Sequence, residues 1–152
     1  MLGADAYSEN MIVGQVVDIE SEGKQVDLDT LQFIHSRKTG ALIEAAVVCG
    51  GLIGGATDAQ LEALNAYGER IGLAFQITDD ILDLEGETER LGKTAGSDLR
   101  KKKATYPAIL GLERSREMAQ TTVSEAIDAL RSFDDRADPL RAIGRFVVER
   151  ES

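Results

Sequence analysis

The chain has 152 residues, enough for one domain with a substantial hydrophobic core, and its formal net charge of −10 argues against nucleic acid as a partner. A single cysteine, Cys49, excludes an intrachain disulfide, and a single histidine, His35, excludes a metal site or catalytic centre built on several histidines. We expect Cys49 to be a small buried residue in an apolar run, and His35 to lie on a helix surface.

The hydrophobic periodicity and the presence of only two prolines predict an all-α protein of about five helices. The first helix is predicted over about 6–22, with Gly23 as its stop. Asp29 or Thr30 is expected to cap a second helix that reaches toward Cys49. The glycines that follow Cys49 would end this helix or let neighbouring helices approach closely.

A third helix is expected to begin after a cap at Thr57 or Asp58 and to run to about Leu84. The polar stretch that follows, punctuated by glycine and rich in lysine, is predicted to be a mobile loop. This loop would span 86–103, and two further helices would occupy 104–132 and 139–150.

The sequence shows no targeting or membrane-spanning segment. Its first five residues lack the basic and apolar regions of a signal peptide, and the longest apolar stretch, 41–56, is short and contains Glu44. We therefore expect a cytoplasmic protein with no membrane span.

Three aspartates, Asp79, Asp80 and Asp83, stand in an otherwise apolar helical segment. Together with Gln76 they fall within an arc of about 100° on a helix, where like charges at i and i+4 repel. A cation such as Mg²⁺ relieves that repulsion, and carboxylate-bound Mg²⁺ commonly completes its shell with substrate phosphates. The pattern predicts a diphosphate-binding enzyme site. The alternative is a structural helical domain in which the aspartates form a solvated face.

Five segments carry further polar and basic residues in a specific order, at 14–18, 35–42, 75–83, 91–98 and 103–107. In this order they resemble the C-terminal half of trans-isoprenyl diphosphate synthases. The resemblance covers nearly the whole chain and is greatest to geranylgeranyl diphosphate synthases, with farnesyl diphosphate synthases close behind. It implies that residues 1–152 form a partial polyprenyl synthetase domain, the C-terminal half of an isoprenoid-synthase helical bundle.

The resemblance implies a Mg²⁺-dependent prenyltransferase, which condenses an allylic diphosphate with isopentenyl diphosphate to give geranylgeranyl or farnesyl diphosphate. Metal ions and lysines would stabilise the charge on the departing diphosphate. The family's pattern assigns Asp79, Asp80 and Asp83 to the metal, Lys38, Lys93, Lys103, Gln15 and Asp18 to the diphosphate or its surroundings, and Lys38, Thr39, Gln76 and Asp79 to catalysis.

The chain departs from the family's pattern by lacking the earlier aspartate-rich motif and the basic residues that hold isopentenyl diphosphate. We expect an incomplete catalyst, inactive alone, that forms a homodimer or pairs with the missing half and exposes apolar helix faces. A non-catalytic subunit that pairs with a complete synthase is the alternative. Terpene cyclases and squalene-type synthases fit less well because they lack the Gly92-Lys93-Thr94 loop. A plant source would place the protein in the plastid stroma.

Overall fold

The computed structural model describes residues 4–21, 26–91 and 104–150, except for the side chains of 4–11, 18, 38 and 87–91. Within these ranges the regular structure is helical and contains no strand, which confirms the all-α prediction. Seven α-helices are described: α1 (Ala4–Ser21), α2 (Leu28–His35), α3 (Ala41–Ile53), α4 (Asp58–Leu91), α5 (Tyr106–Leu110), α6 (Leu112–Ala129) and α7 (Asp138–Glu149).

The second predicted helix is one continuous rod in which a π-helical turn, Ser36–Gly40, joins α2 to α3. Its N-cap is Asp27, whose Oδ1 accepts a hydrogen bond from the Thr30 amide at 2.9 Å. Hydrogen bonding by Thr30, first from its side chain and then from its amide, lowers the pKa of the Asp27 carboxyl. The predicted caps, Asp29 and Thr30, are therefore wrong, since both lie within the first helical turn.

Helix α4 is the central element, 34 residues and about 50 Å long at 1.5 Å per residue. Thr57, one of the two predicted caps, is the N-cap of α4. The Thr57 amide donates a hydrogen bond to Gln60 Oε1 at 2.9 Å, and the Gln60 backbone amide donates one to the Thr57 hydroxyl at 3.4 Å. The predicted end near Leu84 is wrong, because the helix continues through Gly86 to Leu91. The residues after Gly86 are mostly good helix formers, which offsets the cost of one glycine. The rest of the predicted loop, 92–103, lies outside the described residues.

The predicted helix over 104–132 is two helices, because Gly111 adopts a φ of +84° between α5 and α6. That backbone conformation cannot continue a right-handed helix and favours glycine. The Thr105 hydroxyl caps α5 by accepting from the Ala108 amide at 3.3 Å. Helix α7 lies within one residue of its predicted bounds.

Helix α4 packs against α3, α6 and α7, and its buried side chains run through both hydrophobic clusters of the core. One cluster lies around Leu64, Tyr67 and Ile71; the other lies around Ile77 and Ile81, where α4 carries the aspartates. The Tyr67 hydroxyl donates to the Leu140 carbonyl at 2.6 Å and so ties α4 to α7. Among the described helices, none combines the length and apolar character needed to cross a membrane.

Several large apolar side chains lie on the surface, as we expected. On α1 they follow a helical spacing, at Ile12, Val16 and Ile19, and at the end of α3 Ile53 is 90% exposed. The prediction for Cys49 is wrong: it lies on the exposed side of α3 rather than in the core. The apolar run around it could not distinguish the two faces of that helix.

Candidate functional site

The π turn lies directly against the middle of α4. A Cβ atom added to Gly72 would lie 2.6 Å from the Gly40 Cα, and one added to Gly68 would lie 2.7 Å from the Glu44 Cα. Only glycine permits such an approach, so α4 and the rod that carries the π turn meet backbone to backbone. This contact fixes the distance between Thr39, which precedes Gly40, and Gln76, one turn beyond Gly72.

A π turn inside an α-helix is uncommon and occurs often at functional sites, because it widens one turn and redirects the side chains within it. Here the Ala41 amide donates to the Ser36 carbonyl five residues earlier. The widened turn contains Lys38 and Thr39, two of the predicted catalytic residues. Thr39 is half-buried, whereas the side chain of Lys38 lies outside the described part of the chain.

The aspartates of α4 do not share one environment. Asp79 and Asp83 are exposed, Gln76 is half-buried, and Asp80 is only 6% exposed. Asp80 stands beside Ile77 and Ile81 on the buried side of the arc, so its carboxylate faces the core. No group of three His, Cys, Asp or Glu residues in the described part of the chain is arranged to hold a metal ion. The assignment of all three aspartates to Mg²⁺ stays a prediction.

Asp80 connects α4 to the start of α5. Its Oδ2 accepts a hydrogen bond from the Tyr106 backbone amide at 3.0 Å, and both residues are buried. Burial, and then the charge of Asp80, raises the pKa of the Tyr106 phenol above its usual range. The chain is thus fastened to α4 three residues after Lys103, which itself lies outside the described residues.

The ring of His35 lies 5.5 Å from that of Tyr106, and His35 is 5% exposed. The expectation of a surface histidine is therefore wrong. His35 follows Leu31 by four residues, and Leu31 is buried, so the two share the inner face of α2. That spacing was the available signal, and it places His35 in the packing that supports α5.

A basic residue that the sequence did not single out contacts the exposed edge of the aspartate arc. The Arg150 guanidinium donates to Asp79 Oδ1 at 3.1 Å and stacks over the Phe75 ring, with its carbon 4.3 Å from the ring centroid. Arg150 follows α7 and is 71 positions from Asp79 in the chain. Only the tertiary structure brings the two together.

The remaining predicted site residues divide into two groups. Gln15 is exposed on α1, which packs against the π turn. The side chain of Asp18, and Lys93 and Lys103 entirely, lie outside the described residues. Their roles remain predictions.

The described carboxylates of α4 fit a magnesium ion in two respects. Asp79 and Asp83 present carboxylate oxygens one turn apart on an exposed face, and a hard cation with one or two protein carboxylates is the usual pattern for Mg²⁺ beside phosphate. Asp79 already holds a cation, the Arg150 guanidinium. The exposed edge of the arc therefore offers two carboxylates that fit one divalent cation, and binding of Mg²⁺ there stays a prediction.

Comparison with known proteins identifies the family of the chain. The model of the polyprenyl synthetase family matches residues 4–143. The chain is 47% identical over 149 residues to the heterodimeric geranylgeranyl pyrophosphate synthase large subunit 1 of Arabidopsis thaliana, a chloroplastic protein, covering 95% of this chain and 40% of that protein. The chain spans about half the length of the curated relatives it matches.

Solved structures show the same helical arrangement. Geranylgeranyl pyrophosphate synthetase from Pyrococcus horikoshii superimposes with a TM-score of 0.82 at 30% identity, over 96% of this chain and 57% of that one. Geranyltransferase from Helicobacter pylori, complexed with magnesium and isoprenyl diphosphate, superimposes with a TM-score of 0.71 at 32% identity, over 93% of this chain and 46% of that one.

Proposed function

The chain belongs to the polyprenyl synthetase family, and we propose that it supplies the part of a prenyl diphosphate synthase site that ionises an allylic diphosphate. The reaction is condensation of the resulting allylic cation with isopentenyl diphosphate, giving geranylgeranyl or farnesyl diphosphate. The observation that carries this proposal is the backbone contact between Gly40 and Gly72, which holds the turn that contains Lys38 and Thr39 against α4, one helical turn before Gln76.

We assign each residue of the site a role from its position. Asp79 and Asp83 would hold Mg²⁺, which would supply positive charge for the departing diphosphate. Lys38, together with Lys93 and Lys103 from 92–103, binds the same diphosphate oxygens. Electrostatic stabilisation of this kind is aimed at charge that develops in the transition state. Thr39 and Gln76, both half-buried, direct oxygen atoms toward the allylic carbon.

Asp80 has a different part in this proposal. Its carboxylate accepts from the Tyr106 amide and so holds the segment that follows Lys103 against α4. It acts on the diphosphate through the position of the lysines. This division departs from the family's pattern, which assigns all three aspartates to the metal.

The whole enzyme needs more than these residues. The chain covers 40% of one relative and 52% of another, so about half or more of each relative is not matched by these residues. We infer that the 152 residues alone do not turn over substrate and that a complementary half, in the same assembly, supplies the remaining ligands for isopentenyl diphosphate.

Cytoplasm is the proposed compartment, or the plastid stroma if the source is a plant, as for the chloroplastic relatives.

The test is an assay with farnesyl diphosphate, isotope-labelled isopentenyl diphosphate and Mg²⁺. The chain is assayed alone and after co-refolding with the unmatched part of the Micrococcus luteus farnesyl diphosphate synthase, a 44% identical relative. We expect a labelled longer product only in the mixture, and its loss on Asp79→Ala but not on Asp128→Ala, an exposed aspartate of α6. Product from the chain alone would contradict the half-site; product that survives Asp79→Ala would contradict the assignment of Asp79.

A second function, a non-catalytic subunit that pairs with a complete synthase, is favoured by the exposed apolar face of α1. Ile12, Val16 and Ile19 recur there at helical spacing with more than two fifths of each side chain exposed. One relative is named as the large subunit of a heterodimer. Co-purification with a full-length synthase at fixed stoichiometry, lost on Val16→Glu, would support this reading. A failure to co-purify would leave the half-site as the function.

A further inference from the structure

We propose that Arg150 is a placeholder cation for the metal site: its guanidinium occupies Asp79 when no divalent ion is bound and must leave that carboxylate before the ion can bind. This inference rests on the proposed function, because it takes Asp79 as a metal ligand. It adds a residue of α7's end to a site otherwise built from α4 and the π turn.

Arg150 is held at Asp79 by three features of the fold. Its backbone amide donates to the Phe146 carbonyl at 3.1 Å and closes the last turn of α7, after which the chain is extended. Val147 is buried in the core and Val148 packs against it, which holds the end of α7 beside α4. The guanidinium then lies over Phe75 and reaches Asp79, one turn further along α4.

The contact differs from an ordinary surface ion pair in the burial of one partner and in an aromatic neighbour. The Arg150 side chain is 14% exposed and that of Asp79 is 53% exposed, so one partner is largely desolvated and the other remains open to solvent. The Phe75 ring adds a cation–π interaction. A divalent ion that approaches Asp79 from solvent therefore competes with a cation already in place.

The charges around the contact explain why a placeholder is useful. Asp79 and Asp83 lie at i and i+4 and repel each other when no cation is near. Arg150 relieves this repulsion in the ligand-free protein without contributing a permanent ligand. Its Nε is buried with no hydrogen-bond partner among the described residues, whereas its Nη2 donates to Asp79. Release of Asp79 would free the group to turn toward an incoming diphosphate.

The test is binding of Mn²⁺ alone to the 152-residue chain, measured by the electron paramagnetic resonance of the free ion. If Arg150 competes with the metal, Arg150→Gln binds Mn²⁺ about threefold to tenfold more tightly than the wild type, as the loss of a partly buried ion pair with an aromatic contact predicts. Arg150→Lys keeps the charge and lies between the two. Arg145→Gln, an exposed arginine on α7, is the matched control and leaves the affinity unchanged.

A second measurement follows the arginine itself. Titration with diamagnetic Mg²⁺ should shift the Nε–Hε resonance of Arg150 in a ¹H–¹⁵N spectrum, with the same midpoint as metal binding, while that of Arg145 stays in place. Unchanged or weaker Mn²⁺ binding by Arg150→Gln, or a resonance that ignores Mg²⁺, would overturn the placeholder. If the wild type and Asp79→Asn bind Mn²⁺ equally, the failure lies instead with Asp79 as a metal ligand in the proposed function.

Discussion

Replacing Gly72 by alanine should destabilise the chain by forcing α4 away from the π turn. The new Cβ would lie 2.6 Å from the Gly40 Cα and 3.4 Å from its carbonyl carbon and oxygen. Ordinary contacts between carbon atoms lie at about 3.5–4.0 Å, so the helices must separate by about 1 Å. The obstacle is backbone on both sides, and no flexible side chain can move away to accommodate it.

The magnitude follows from two opposing contributions. Overpacking of a well-packed contact costs about 1–3 kcal/mol, and this backbone clash belongs at the upper end. Alanine gains about 1 kcal/mol over glycine in a helix interior. We therefore expect a net loss of about 2 kcal/mol in the free energy of unfolding. For a domain of this size that lowers the melting temperature by about 4–8 °C.

The assay is thermal unfolding followed by circular dichroism, with Gly86→Ala as the matched control. Gly86 lies in the same helix, and a Cβ there would meet no atom within 4 Å. The control should therefore melt about 1–4 °C higher than the wild type, through helix propensity alone. If Gly72→Ala melted at or above the wild-type temperature, the backbone contact that positions Lys38–Thr39 against α4 would be refuted.

Three further predictions test other parts of the structure. Asp80→Asn should keep most of the hydrogen bond to the Tyr106 amide, whereas Asp80→Ala should lose about 1–3 kcal/mol of unfolding free energy. Equal losses for the two variants in urea titrations would contradict the anchoring role of Asp80. Gly111→Ala should lower stability by about 1–2 kcal/mol because of its φ of +84°, and a neutral result would place the break between α5 and α6 elsewhere. Burial raises the pKa of the Tyr67 phenol to about 12, so the contribution of the neutral phenol to stability is complete below pH 10 and is lost as the pH rises toward 12. Tyr67→Phe should therefore flatten the decline of the unfolding free energy over this pH range, measured by urea titration. An unchanged slope in Tyr67→Phe would contradict this prediction.

Side-chain periodicity was sufficient to predict the fold class, and turn chemistry was sufficient to predict that α4 begins at a cap formed by Thr57 or Asp58. Both depend on local sequence. The π turn could not be predicted in this way. A backbone amide that bonds to the fifth preceding carbonyl instead of the fourth changes the pattern of apolar residues very little. The contact of Gly40 with Gly72 likewise belongs to the tertiary structure, although a glycine inside a helix is a sign that another backbone approaches there.

The site itself was only partly accessible to sequence reasoning. The arc of Gln76, Asp79, Asp80 and Asp83 followed from helical geometry, but geometry alone does not say which edge of an arc faces the core. The apolar neighbours Ile77 and Ile81, both buried, lie on the Asp80 side and carry that information. Arg150 has no such local signal, since it reaches Asp79 across 71 positions of chain.

The most direct test of the diphosphate-binding site is the melting temperature of the chain with Mg²⁺ and pyrophosphate together, compared for the wild type and Asp79→Ala. A ligand at one hundred times its dissociation constant stabilises the native state by about 2.7 kcal/mol, which corresponds to about 5–11 °C for this chain. We predict such a rise for the wild type and little or none for Asp79→Ala. A wild-type melting temperature unmoved by Mg²⁺ and pyrophosphate would mean that the aspartates are a solvated face of a structural helical domain.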